Sequence, residues 1–146
     1  MKNVTSKELI DLRGVERFRE YIMPEGKRVR VESPVSLKIN DDGSHELEDG
    51  SGFLHHIADT WFAFWAEGTF EFNVTKDGEE GGDWVDAALE TGLRRYFFEE
   101  GNELCISNIE SVFEKESGSH KIICEEGKIF YVRPVWSVLS KLPKLM

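Results

Sequence analysis

The stretch "GSHELEDGSGFLHHIADTW", Gly43 to Trp61, returns 75 residues later as "GSHKIICEEGKIFYVRPVW", Gly118 to Trp136. Gly43, Ser44 and His45 align with Gly118, Ser119 and His120, Gly52 with Gly127, and Trp61 with Trp136. Apolar positions keep the same frame: Leu47 with Ile122, Leu54 with Ile129, Ile57 with Val132. Upstream, without a gap, Asp11, Arg19, Tyr21, Glu25, Gly26 and Ser36 recur as Asp86, Arg94, Tyr96, Glu100, Gly101 and Ser111. Identities number 11 over the 71 overlapping positions. Turn glycines and core-type residues match in order, so residues 1–75 and 76–146 read as two copies of one unit. Each half also carries nine basic and fourteen acidic residues.

Within each unit the sequence predicts a helix followed by four strands. In the first, Thr5-Ser6-Lys7-Glu8 reads as a capping box, and Leu9, Ile10, Phe18, Tyr21 and Ile22 as an apolar face interrupted near Gly14. In the second, Asp83 reads as the N-cap. Trp84, Val85, Ala88, Leu89, Leu93, Tyr96 and Phe97 form the face, and Gly101 the stop. Strands then read from "RVRVE", "VSLKI", "HELE" and "GFLHHI" in one unit, and from "ELCIS", "ESVFEKE", "KIICEE" and "KIFYVRP" in the other. Asn40–Gly43, Asp49–Gly52 and Ser117–Ser119 supply turns. Phe70, Phe72 and Val74 alternate as a further strand, and Lys76 to Asp83 reads as a flexible link. The expected fold is therefore α+β: two α-β-β-β-β units packed about a pseudo-two-fold axis into one body.

The 146-residue chain has a formal net charge of −10. This argues against direct binding to nucleic acid or to an anionic membrane surface, and favours a partner with a basic surface. The start, "MKNVTSKELIDLRG", has no apolar core of a secretion signal, and no apolar run approaches a membrane span, so a cytoplasmic location is expected. Cys105 and Cys124 lack metal-ligand spacing and read as buried thiols.

His45 and His120, placed alike after the Gly-Ser turn, read as structural residues bonding the turn, with paired acid–base groups as the sharper alternative. With Gly43, Gly52, Trp61, Gly118, Gly127 and Trp136 they define the repeat. His55 and His56 fall on opposite sides of a strand, poor geometry for one metal, and no metal or cofactor is expected. No phosphate-binding loop or nucleophile elbow is present, so the sequence points away from an enzyme.

The reading is a small acidic protein-binding module. It is expected to inhibit a partner by occluding its basic nucleic-acid-binding surface, as anti-defence proteins of phages and mobile elements, anti-CRISPR proteins among them, do. Asp41, Asp42, Glu48, Asp49, Glu79 and Glu80 would steer association, and the aromatic run Trp61, Phe62, Phe64 and Trp65 would anchor it. The alternatives are a toxin-neutralising immunity protein, a small-molecule binder or enzyme with its site between the repeats, and a virion structural or assembly protein. The last would use the unequal segments "AEGTFEFNVT" and "SKLPKLM" for contact.

Overall fold

A computed structural model describes residues 9–68, 85–86 and 92–142. Their regular structure consists almost entirely of strands. In the first half they are β1 (Leu9–Asp11), β2 (Glu16–Ile22), β3 (Arg28–Glu32), β4 (Ser36–Ile39), β5 (His45–Glu48), β6 (Leu54–Ile57) and β7 (Ala63–Gly68). In the second half they are β8 (Val85–Asp86), β9 (Leu93–Phe97), β10 (Glu103–Ile106), β11 (Ile109–Glu114), β12 (His120–Cys124), β13 (Lys128–Val132) and β14 (Val138–Leu142). The helical content among the described residues is three single 3-10 turns, Pro24–Gly26, Glu99–Gly101 and Glu125–Gly127.

The expected α+β class is therefore corrected: the molecule is an all-antiparallel β protein. Leu9 and Ile10 lie on β1, Phe18, Tyr21 and Ile22 on β2, and Leu93, Tyr96 and Phe97 on β9. The physical cause is burial on two faces. Tyr21 points into one core and its neighbour Ile22 into another, so apolar residues at 18, 21 and 22 imitate the spacing of a helix. The proposed capping box, Asp83, Trp84, Ala88 and Leu89 lie outside the described residues, as do Phe70, Phe72, Val74 and the link from Lys76 to Asp83.

Strands of the second half follow those of the first at the 75-residue spacing, and so does their pairing. Tyr21 faces Val29 across β2–β3, and Tyr96 faces Leu104 across β9–β10. His45 faces Ile57, and His120 faces Val132. The left-handed backbone positions repeat too: Gly26 and Gly101, Ser33 and Asn108, Gly43 and Gly118, Gly52 and Gly127. Between β1 and β4 the register slips: Asp11 faces Ser36, whereas Asp86 faces Phe113.

Three sheets result, ordered β1-β4-β5-β6, β10-β9-β14 and β3-β2-β7-β13-β12-β11-β8. The seven-stranded sheet is the middle layer. One of its faces turns Tyr21, Phe64, Tyr131 and Ile129 toward Leu37, Leu47 and Ile57 of the four-stranded sheet. Its other face turns Ile22, Ala63, Phe130, Val132 and Ile122 toward Tyr96, Leu104 and Ile106 of the three-stranded sheet. Each of the Val, Leu, Ile and Phe side chains among these contributes roughly 1.5–3 kcal/mol by leaving water.

The halves join where β7 pairs with β13, from Ala63 opposite Val132 to Glu67 opposite Lys128. These two strands are not counterparts, since β7 corresponds to β14 and β13 to β6. The joint is head to tail, which corrects the expected pseudo-two-fold packing: a two-fold would also pair β14 with β6, and those strands lie in separate sheets. Arg133 clamps the joint. Its Nη1 donates to the carbonyls of Asp59 and Trp61, its Nη2 donates to the Gly43 carbonyl at 3.2 Å, and its guanidinium lies 3.7 Å from the Trp61 ring centre.

Gly127 sits against the same joint. A Cβ there would collide with the carbonyl oxygen of Gly68, whereas its counterpart Gly52 faces open space. Both have left-handed φ, 77° and 94°, so alanine strains the backbone at either. Gly127→Ala is expected to lower stability by about 1–3 kcal/mol more than Gly52→Ala, the difference being overpacking at the joint. Equal losses in paired denaturant titrations would show that the joint imposes no demand for glycine.

Candidate functional site

The repeated histidines are buried in a polar chain that each half carries. Arg19 and Tyr21, two apart on β2, point the same way toward His45 on β5. The Arg19 Nη1 donates to the Tyr21 hydroxyl at 3.2 Å, and that oxygen lies 2.5 Å from Nδ1 of His45. In the second half Arg94 Nη1 donates to the Tyr96 hydroxyl at 2.8 Å, and Tyr96 lies 2.7 Å from Nδ1 of His120. With arginine donating to the phenol oxygen, the phenol proton is directed at Nδ1, and the histidine is the acceptor.

Burial sets the charges. It pushes the hydroxyls of Tyr21 and Tyr96 up to about 12, against the pull of Arg19 and Arg94. Burial works against the charge of Arg19, yet Glu16 and the Tyr21 hydroxyl outweigh it and raise its pKa. Glu16 Oε2 accepts from Arg19 Nη2 at 2.6 Å, with both side chains fully enclosed. His45 is held well below its ordinary range, first by burial and then by Arg19 and Arg133. It is a neutral, enclosed ring. Its second nitrogen, Nε2, has no hydrogen-bond partner among the described residues.

Trp61 closes this core, its Nε1 donating to the Gly43 carbonyl at 2.9 Å, and its ring 5.2 Å from that of His45. Trp136 packs on His120 with ring centres 4.6 Å apart and remains half-buried. His45, His120 and Trp61 thus fill cores rather than line a cleft between the halves.

The aromatic run proposed as an anchor turns inward. Trp61, Phe62 and Phe64 are buried, and Trp65 is half-buried, stacked on Phe130 at 5.4 Å. Two of the proposed steering acids hold turns. Asp42 accepts from the backbone N–H and hydroxyl of Ser44, which lowers its pKa. Asp49 accepts from the backbone of Ser51 and Phe53 and contacts His55 Nε2 at 2.9 Å, and the His55 contact is the main cause of its lowered pKa. Asp41 is exposed at the tip of the β4–β5 turn, Glu48 is half-buried, and Glu79 and Glu80 lie outside the described residues. Cys124 is buried, and burial raises its thiol to about 12, but Cys105 is exposed, a correction to the expected pair of buried thiols. On β10 it is Leu104 and Ile106 that point inward, so Cys105 points out.

What remains accessible is the outer face of the four-stranded sheet. Strand alternation places Leu9 and Asp11, Ser36 and Lys38, Glu46 and Glu48, and Leu54 and His56 there, across four consecutive strands. A shallow groove of about 300 Å³ crosses it between Leu9 and Leu54, with Lys38, Glu46, Glu48 and His56 along it. A second, of about 670 Å³, continues past β1 between Arg13, Val35 and the turn at Asp49 to Gly52. Leu9 and Leu54 are 62% and 81% exposed. Asn40 Nδ2 donates to Glu46 at 3.0 Å, and Arg13 holds the Asp11 carboxyl down at about 2.

Sequence reasoning placed Glu46 and Glu48 in an acidic group but did not single out Lys38, Leu9 or Leu54 for binding. The signal was available: "VSLKI" and "HELE" alternate, and each strand's charged side is its outer side. Among the described residues, no three His, Cys, Asp or Glu side chains are placed to hold a metal ion, and no helix is long and apolar enough to cross a membrane. No protein-family model matches the chain, and no significant match was found among curated proteins or solved structures.

The enclosed His45 makes stability depend on pH. Its folded pKa lies below the unfolded value of about 6.5. The unfolded chain therefore takes up a proton that the native ring refuses, and the stability present above that pH is lost progressively below it, by up to about 1.4 kcal/mol per pH unit. In His45→Asn, whose amide oxygen can replace Nδ1 as acceptor, the drop in Tm from about pH 7 to about pH 5 is expected to be smaller than in the wild type. Parallel melts that fall by the same amount would show that His45 is not the titrating group.

Proposed function

We propose that this protein is a binding module that docks the outer face of its four-stranded sheet on a basic protein surface and thereby keeps nucleic acid off it. One comparison within the chain carries the reading. In the second half the corresponding face bears Ile123, Ile129 and Tyr131, which pack against the core of the first half. In the first half the same positions are Glu48, half-buried, and Leu54 and His56, open to solvent, with Glu46 and Asp11 beside them. The covered face is mainly apolar, with Lys121 buried on it at the counterpart of Glu46, whereas the open face carries Asp11, Glu46 and Glu48, which suits a polar, cationic contact. Leu9 and Leu54 flank the acids and supply apolar area at the rim. The formal net charge of −10 adds long-range attraction to such a partner, and Asp41 projects from the same end of the sheet as Glu46.

This reading replaces the aromatic anchor, now buried, with the two exposed leucines, and it moves the electrostatic weight to Asp41, Glu46 and Glu48. The test is capture from the native host's lysate after nuclease treatment, repeated with a variant carrying Asp41→Lys, Glu46→Lys and Glu48→Lys. The wild type is expected to retain a basic protein that nucleic acid displaces. The variant should bind it about tenfold more slowly at low salt, with the gap narrowing as salt is added. Equal association rates for both proteins would overturn the assignment to this face.

A further inference from the structure

Among the described residues, the counterparts of the two strands that meet at the joint each keep an unpaired outer edge. Where β7 pairs with β13, the counterparts of those strands are β14 and β6. Among the described residues β14 pairs only with β9 and β6 only with β5, so each has an outer edge without a neighbouring strand. We infer that the chain assembles head to tail with further copies of itself, β14 of one copy pairing with β6 of the next in the register of the β7–β13 joint. This inference rests on the strand edges; Leu54 on β6 belongs also to the face proposed for docking, so a joint between copies and a basic partner would compete for it.

Exposure is distributed as this requires. Among the described residues six large apolar ones are exposed, Leu9, Phe53, Leu54, Val135, Val138 and Leu142, and all but Leu9 lie on or beside these two edges. For two of them the counterparts at the internal joint are buried. Leu54 is 81% exposed where Ile129 is 3%, and Val138 is 50% exposed where Ala63 is fully buried. Transferring the internal register places Ile57 opposite Val138 and Phe53 opposite Leu142 of the next copy, because Val132 faces Ala63 and Lys128 faces Glu67. Two exposed apolar side chains thus become direct cross-strand neighbours. Gly52 has the open space that the Gly68 carbonyl fills at Gly127, so a second copy has room to approach.

One part of the joint is not repeated. Position 58, the counterpart of Arg133, is alanine, so a joint between copies lacks the clamp onto Gly43, Asp59 and Trp61. The association is accordingly reversible and concentration-dependent rather than permanent. It pairs two different edges, so it propagates as a filament or closes as a ring.

The experiment uses the full chain with Cys105→Ser, which removes the exposed thiol. Sedimentation of this protein from micromolar to millimolar concentration is expected to show a series of oligomers. Leu54→Asp, at a largely exposed position, should weaken that association at least about tenfold. Phe53→Cys and Leu142→Cys, placed in separate chains and mixed under mild oxidation, should give the mixed disulfide. Both substitutions in one chain should give a ladder, while Leu9→Cys mixed with Leu142→Cys should give none. A monomer at every concentration overturns the inference without any variant having to fold. A dimer that cross-links Phe53→Cys chains only to one another, or Leu142→Cys chains only to one another, overturns it in favour of a two-fold contact. Each cysteine variant is checked for an unchanged cooperative melt.

Discussion

Backbone pairing between β7 and β13 is the constraint from which the layered form follows. By joining strands from different halves it makes one seven-stranded sheet, and it obliges the smaller sheets to cover that sheet from opposite sides. Alternation then dictates the rest. Phe64 and Tyr131 sit opposite one another with ring centres 4.7 Å apart on the face of one core, while Ala63, Val132 and Phe130 turn to the other core. Central strands with two apolar faces are unusual in antiparallel proteins, and here they arise because each half needs a cover that the other provides.

The polar chain inside each core runs against this apolar economy. Burying an arginine and a glutamate is costly, and the pair Arg19–Glu16 stands only because its charges and hydrogen bonds meet one another. Arg19 also lies 4.2 Å from the Phe64 ring centre, so the charge rests on an aromatic floor. The second half solves the same problem differently. Position 91, the counterpart of Glu16, is threonine, and the acid in the chain is Glu114, 3.4 Å from His120 Nε2. The arginine, tyrosine and histidine persist while the acid changes place, which marks those three as the part of the network that orients the strands.

Hairpins were legible in the sequence because alternation and turn chemistry agree there. Asn40 to Gly43 and Asp49 to Gly52 close turns through backbone bonds from Gly43 to Asn40 and from Gly52 to Asp49, and the flanking strands lie where their patterns place them. β2 was illegible as a strand because burial on both faces erases alternation, and β9 because its inner face pairs Tyr96 with a buried charge, Arg94, while Leu93 and Phe97 lie half-buried on the other. The run from Trp61 to Trp65 reads equally well as core or as contact surface, since composition carries no direction until pairing assigns each side chain a face. The buried network had a signal that was not used. Arg19-x-Tyr21 returns as Arg94-x-Tyr96 together with the repeated histidine, and a charged residue that repeats in step with core residues belongs with them. The acidic outer face was half visible, because strand polarity was readable but not which strands would be neighbours.

The head-to-tail joint also bears on how the chain is made. Synthesis delivers β7 some sixty residues before β13, so during that interval a nascent first half presents the edge of β7, with the apolar surface that Ile129 and Tyr131 later extend. Between molecules on neighbouring ribosomes, that waiting edge can accept the wrong strand, a hazard typical of β folds whose contacts are distant in sequence. Tethering both partners in one polypeptide answers it by raising their effective concentration for each other above that of any neighbour. The duplicated pattern is thus a kinetic safeguard as much as an architectural one.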